Sequence, residues 1–519
     1  MEPKTRRIIS NDDGWIMSYH PSPVTPETIK KLMIDTYAGS PIDAVSWCVG
    51  DHEVYAYETE RGERFGDECL TFEREVDAWE RRNLDHLIQA AGGPLAEISR
   101  QFHTAGIDIF PSVRMNSHYE IPYASPHYGR FRRQHPELLI GQPDEFIPSP
   151  TIEYAIRTGL DYKFPEVRAH MYGIICELFE RFEVDGVELD YMRHPAFFRP
   201  EEAYANRYLM TDFIRRIRSR MDEVGKERKR HLDLLVRVPP TLYDCSRIGL
   251  DVCAWIGERL VDTVAAGGGF RPFEMPLTEF TEAAKGTGCQ IYGSLEALRW
   301  ALDPDLLRAL AARFWDAGVA GIYLFNYFNT PQEWKQRQLG ELVDRTRLRR
   351  MNKRYELDHT DRVGIQAHGG AFRYAIPHAS LPVFMEETLP AGGARLRLDV
   401  ADDVQAAATA GALGRCVLGL GFDDFAEGDR LAVVLNGKAL NWGAHGISAD
   451  GWSHLEFDGK VYHNTMATAV VPGTLVEFDL SAPPLKRGAN ELVVRLMKGD
   501  SARFRPVVLK EVRLEISYV

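Results

Sequence analysis

Eight apolar, strand-like runs alternate with helix-like segments from the start of this chain to about residue 335. We read the strands as Trp15–His20, Ala44–Val49, Ile107–Val113, Val184–Asp190, Leu232–Val238, Val261–Ala266, Gln290–Ser294 and Ile322–Asn326. Alternation of this kind implies a parallel sheet with helices on its face. Eight repeats favour closure into a (β/α)8 barrel, and no GxGxxG follows the first strand to suggest a dinucleotide-binding open sheet. The helices carry their own signals. Thr25-Pro26 and Asp303-Pro304 each set a capping residue before a proline at the first helical position. Val167, Met171, Ile174, Leu178 and Phe182 mark one buried helix face, as do Leu307, Leu310, Ala311, Phe314 and Ala317. Gly267-Gly268-Gly269 reads as a tight strand-to-loop turn.

After about residue 355 the pattern changes to short alternating strands: Arg395–Val400, Leu431–Leu435, Thr474–Leu480, Glu491–Leu496 and Val507–Tyr518. Asn436-Gly437 is a hairpin turn between two of these runs. The expected architecture is therefore a barrel domain over residues 1–355 and a jelly-roll-like antiparallel β-sandwich over 356–519. A chain of 519 residues is too long for one ordinary core, which agrees.

The composition, 45% hydrophobic and 26% charged, is that of a folded globular protein. A net charge of -13 argues against nucleic acid or an anionic membrane as partner, and no apolar run is long enough to span a bilayer. The segment Met1–Arg7 is basic but lacks a following apolar stretch. It predicts a cytoplasmic protein as written, or a periplasmic or secreted one if a leader has been removed. Seven scattered cysteines without a CxxC pair suit buried thiols in a reducing compartment. No cofactor is expected; a homo-oligomer is compatible with the sequence.

Phe182–Arg193 carries the chemistry. Period-2 alternation puts Val187 and Leu189 on one face and Gly186, Glu188 and Asp190 on the other. An unpaired carboxylate is too costly to bury in a dry core, so the polar face should open into a cleft at the strand's C-terminal end. Other strand exits add polar residues: Tyr19 and His20 on the first, Arg114 and Asn116 on the third, Arg237 on the fifth, Glu296 past the seventh, and Asn326 and Tyr327 on the eighth. Such a rim suits glycosidic cleavage, which needs a proton donor and a second carboxylate. Asp190 is the expected nucleophile or base, held ionised by Arg193, and Glu296 the expected proton donor. Glu188, the third candidate catalytic residue, would orient Asp190, pair with Arg114 or Arg237, or act in catalysis itself. The plainer alternatives stay open: Asp190 as a rim ion-pair partner, Glu296 as the start of the next helix.

Long connections follow the second strand (Gly50 to about Asp77) and the third (Asn116 to about Thr158). They hold His52, Tyr55, Tyr57, His118, Tyr119, Tyr123, His127 and Tyr128, which either stack on sugar rings or simply cover the barrel mouth. Arg114, Arg130, Arg132, Arg133 and Arg193 make an anionic sugar an expected substrate class. His52, His118, Tyr191 and Arg193 complete the expected carbohydrate contacts. The histidines, His20 and His194 included, have no HxH or HExxH spacing, so no metal is expected.

Three blocks resemble the bacterial glycosyl-hydrolase-like family 10 group. They are Arg133-Gln134-His135-Pro136-Glu137-Leu138-Leu139-Ile140-Gly141 with Leu160-Asp161-Tyr162 and Pro165-Glu166-Val167-Arg168; Val184–Pro195; and Val236-Arg237-Val238-Pro239 with Gly249-Leu250-Asp251-Val252, Trp255 and Leu260-Val261-Asp262. Leu435–Lys438 and Leu485–Val494 resemble the jelly-roll accessory domains of many glycoside hydrolases. The resemblance implies a (β/α)8 barrel acting on glycosides. The Asn-Glu pair of true family 10 xylanases is absent from the fourth strand, so xylanase roles do not transfer. The expected function is thus hydrolysis of an oligo- or polysaccharide. A carbohydrate-binding barrel without catalysis and a polysaccharide lyase using His118, Tyr191 or Arg193 are the alternatives.

Overall fold

The computed structural model describes residues 4–519 apart from 22, 52, 117–124, 143–144, 147–155, 193–194, 268–273, 297–302, 326, 328–331, 360–378, 427, 442–444, 449–454, 458–459, 463–472, 481 and 499–504. Eight parallel strands close into a barrel: β1 (Ile8–Asp12), β2 (Ile42–Cys48), β3 (Asp108–Arg114), β4 (Gly186–Asp190), β5 (Asp233–Val238), β6 (Thr263–Ala266), β7 (Gln290–Glu296) and β8 (Gly321–Phe325). Each strand pairs with its neighbours in sequence, and β1 closes the ring by pairing Ile8–Ser10 with Ile322–Leu324. Helices fill the connections: α1 (Glu75–Ala91), α2 (Pro94–Thr104), α3 (Pro165–Arg181), α4 (Ala203–Arg228), α5 (Leu277–Ala284), α6 (Pro304–Asp316) and α7 (Gln332–Val343).

The expected barrel is present, with one strand misplaced. Trp15–His20 is not the first strand; Trp15–Ser18 is a helical turn, and β1 lies upstream at Ile8–Asp12. Only Ile8 and Ile9 in β1 are apolar, so the run is hidden by its own polar residues. The apolar stretch after it folds beyond a turn that Gly14 (φ 75°) makes, where a Cβ would meet the Cys48 carbonyl oxygen at 2.8 Å.

Side-chain parity separates two cores. Ile9, Ala44, Phe110, Leu235, Ala265, Tyr292, Tyr323 and Phe325 fill the barrel interior, while Val187, Leu189 and the apolar faces of the helices form the layer outside it. The predicted face of α3 is buried: Val167, Met171, Ile174 and Leu178 show no exposure. The two proline-led helices are capped as expected, by Thr25 accepting from the Thr28 N–H and Asp303 from the Leu306 N–H. At the N-terminal face Arg6 plugs the barrel. Its guanidinium bonds Asp108 at 2.7 Å and Asp233 at 2.6 Å, and the Tyr292 hydroxyl donates to its carbonyl oxygen.

The C-terminal part is built from antiparallel sheets. One contains Lys353–Glu356, Val508–Tyr518, Leu413–Asp423, Thr474–Asp479 and His445–Ser448; the other contains Ala394–Val400, Gly488–Lys498, Arg430–Leu435 and Lys438–Ala439. Asn436 and Gly437 make the predicted tight hairpin, both at positive φ (49° and 79°). The sheets dock on α6 through ion pairs: Arg354 with Asp303, Arg313 with Asp399, and Arg487 with Asp316. None of the seven cysteines is in a disulfide. Among the described residues no helix is long and apolar enough to cross a membrane.

Candidate active site

The inner face of β4 delivers two carboxylates at different depths. Glu188, lower in the barrel, is fully buried. It accepts hydrogen bonds from the Ser112 hydroxyl of β3 (2.8 Å) and the Tyr323 hydroxyl of β8 (2.9 Å to each oxygen). Burial raises its pKa above the usual carboxylate range and the nearby charge of Asp190 adds to this. Hydrogen bonds from Ser46, Ser112 and Tyr323 pull the other way. Of the two roles expected for Glu188, orienting Asp190 or pairing with an arginine, the described contacts are hydroxyl bonds beneath Asp190.

Asp190 ends the strand and is 2% exposed. Its backbone lies in register with Arg114 on one side and Arg237 on the other. Arg237 supplies its counter-charge, with Nη1 3.1 and 3.2 Å from the two carboxylate oxygens, and the Met192 N–H donates to it at 2.8 Å. Across the barrel the Phe325 ring lies under the Arg237 guanidinium, 3.6 Å from carbon to ring centre. Arg114 turns the other way and bonds Asp13 at 2.8 Å, just past β1. The floor of the mouth thus alternates Asp13, Arg114, Asp190 and Arg237 around one arc. Glu296 is the last residue of β7, its backbone in register with Phe325; its side chain lies outside the described residues, as do Arg193, His52, His118, His194 and Asn326.

Five expected contacts sit elsewhere. Tyr191, one residue past Asp190, faces the helical layer, its hydroxyl against the Met210 sulfur and its ring beside Phe197 and Trp255. Tyr327 is likewise buried outward, donating to Gln338 at 2.7 Å. Asn116 is a tie between connections: its amide donates to the Leu160 and Ala196 carbonyls and accepts from the Leu160 N–H. Tyr19 (71% exposed) and His20 follow the helical turn and do not leave a strand.

In the connection after β2, where rings were expected either to stack on sugars or to act as a cover, the tyrosines are packed away from solvent. Tyr55 and Tyr57 show no exposure and pack edge to face, 5.4 Å between ring centres. Glu177 of α3 collects the Tyr57 and Thr59 hydroxyls, the Glu60 N–H and Arg181, which fastens the connection after β2. The arginines are neutralised in pairs: Arg132 with Glu53, Arg130 with Glu68, Arg133 with Glu63.

Sequence reasoning missed Asp13, Ser112, Tyr323 and Phe325. The inward parity of Tyr323 and Phe325 was available in the strand Ile322–Asn326, whereas Asp13 was lost with the misplaced first strand. Another buried pair lies behind the rim. Burial raises the pKa of Asp12 to about 6 and lowers that of Lys335, on α7, to about 8. Among the described residues His231, Asp233 and Asp262 bring three ligand-type atoms within 4.8 Å of one another at the N-terminal face. Arg6 and Arg218 already take the other oxygens of those two aspartates, so the group is an ion-pair network closing the barrel's base.

No family model matches the chain, and no curated protein matches it. Solved structures that it resembles include the PgaB (BpsB) glycoside hydrolase domain from Bordetella bronchiseptica, at 14% identity and a TM-score of 0.39, covering 66% of this chain and 99% of that one. A second is α-L-fucosidase isoenzyme 2 from Paenibacillus thiaminolyticus, at 10% identity and TM-score 0.40, covering 66% of this chain and 49% of that one. A third is the GH36 α-galactosidase AgaA from Geobacillus stearothermophilus, at 13% identity and TM-score 0.38, covering 99% and 56%.

Proposed function

We propose that this chain is a glycoside hydrolase whose barrel, residues 1–355, carries the site and whose sheets, residues 356–519, form an accessory unit. The observation that carries this reading is Asp190. A carboxylate at the C-terminal end of β4, buried on the inner face and held by Arg237, is poised for attack on a sugar or on water. Glu296, ending β7, is the proposed proton donor, and Glu188, hydroxyl-bonded beneath Asp190, tunes it. An uncharged sugar fits better than an anionic one. Arg114 and Arg237 at the floor, and Arg130 and Arg132 in the connection after β3, each face a carboxylate already.

The test is release of reducing ends from oligosaccharides by the wild type, Asp190→Asn and Glu296→Gln. Loss of turnover in both variants, with the circular dichroism of the wild type, supports the assignment; normal turnover in both removes it. An unsaturated product absorbing in the near ultraviolet would indicate a lyase. Calorimetric binding without cleavage would indicate a binding protein.

A further inference from the structure

The connection that follows β6 is pinched at its base. Gly267, which leaves the strand at φ +126°, has no room for a Cβ: it would lie 2.7 Å from the Met275 sulfur and 3.1 Å from the Ser294 Cβ. Gly267, the upstream foot of the connection, therefore lies against both Met275, the downstream foot, and Ser294. Ser294 is two residues before the end of β7 at Glu296.

The downstream foot is gripped from outside the barrel. The Glu274 N–H donates to Asp358 Oδ2 at 2.9 Å, and Glu274 Oε2 accepts the Asp358 N–H at 2.8 Å and the Ser380 N–H at 3.0 Å. The Ser380 hydroxyl donates to the other carboxylate oxygen. Asp358 and Ser380 belong to the chain beyond Lys353–Glu356, in the C-terminal part, and they are drawn together by the Leu381 N–H donating to the Asp358 carbonyl. Arg313 of α6 lies within electrostatic reach of Glu274, Asp358 and Asp399, giving these carboxylates a shared counter-charge. A carboxylate accepting several N–H and O–H bonds is among the stronger polar contacts a protein makes. Here it is spent on one barrel connection, beside the strand that ends in the proposed acid.

We infer that the C-terminal sheets are a working part of the barrel's rim: through Asp358 and Ser380 they make Glu274 a positioning residue that holds its neighbour Met275 against Gly267, beside Ser294 of β7. This rests on the hydrolase reading above, since the group being positioned is the strand end that bears Glu296.

The test uses the full chain with Ser380→Ala and Asp358→Ala, and Ser380→Thr as the conservative variant that keeps both donors. Amide hydrogen exchange in residues 274–280 and 290–296 should accelerate about tenfold in the first two variants and return in the third, with the other barrel strands unchanged. On the oligosaccharides that the wild type hydrolyses, whose leaving groups need a proton, kcat and kcat/KM should fall together about three- to tenfold with KM nearly constant. Unchanged local exchange, a uniform rise through all strands, or a rise in KM with kcat unchanged would each overturn the inference. If the wild type cleaves no oligosaccharide, the hydrolase reading loses support and the positioning proposal falls with it, whereas the physical clamp is still decided by exchange.

Discussion

Arg237 and Asp190 form a buried ion pair between adjacent strands, each side chain only 2% exposed. The arginine is held in turn by the Phe325 ring. Removing one partner leaves the other charged and dry. Arg237→Met should therefore cost about 3–5 kcal/mol of stability, measured by urea unfolding. Asp190→Asn should lower turnover by about 10²–10⁴-fold while preserving the circular dichroism spectrum.

Asp12 and Lys335 give a prediction with a pH sign. Burial lifts Asp12 from its ordinary 3.8 to about 6, so its burial cost is absent below 3.8, builds as pH rises from there to about 6, and is complete above that value, where the folded carboxylate is charged. Lys335, lowered to about 8, is the cation that offsets the charge at neutral pH. Lys335→Met should lower the Tm little at pH 5 and markedly at pH 7.5, by the equivalent of about 3 kcal/mol. Equal losses at both pH values would show that Lys335 does not compensate Asp12.

His231 runs in the opposite direction. Its hydrogen bond to Asp262, 2.9 Å, is the largest influence raising its pKa above the ordinary 6.5, with Asp233 3.3 Å away adding to the rise. A raised base stabilises fully below its unfolded pKa and loses that stabilisation as pH climbs through the folded one. His231→Gln should cost on the order of 1 kcal/mol at pH 6 and little at pH 9. Thermal unfolding across that range checks it.

Glu177 separates fold from chemistry. Four donors converge on it from the connection after β2 and from Arg181, and it is 3% exposed. Glu177→Ala should destabilise the protein by about 3 kcal/mol, because it leaves buried donors unpaired. Turnover per folded molecule should stay close to that of the wild type. A matching collapse of turnover would place this connection in the reaction.

Seven of the eight barrel strands were legible because each is an apolar run flanked by helix signals. β1 was not, because Ser10, Asn11 and Asp12 mask a strand whose neighbours come from β2 and β8. Parity correctly separated Glu188 and Asp190 from Val187 and Leu189. The same rule, applied one residue further, would have turned Tyr191 outward. What the sequence could not reveal was pairing: Arg237 goes to Asp190 and Arg114 to Asp13, choices fixed by strand order and stagger. The tyrosines of the connection after β2 look like an exposed aromatic set in one dimension. In three they are a small core under Glu177.

β1 bonds to β8 along one side, and β8 arrives only after more than half of the chain has been made. During synthesis Ile8–Asp12 must therefore wait beside β2 with one row of amides and carbonyls bare, a sticky margin on an unfinished cylinder. Its run of hydrophilic residues, Ser10-Asn11-Asp12, is what a waiting edge needs. The residues that concealed this strand from pattern reading also make it a poor template for another nascent chain.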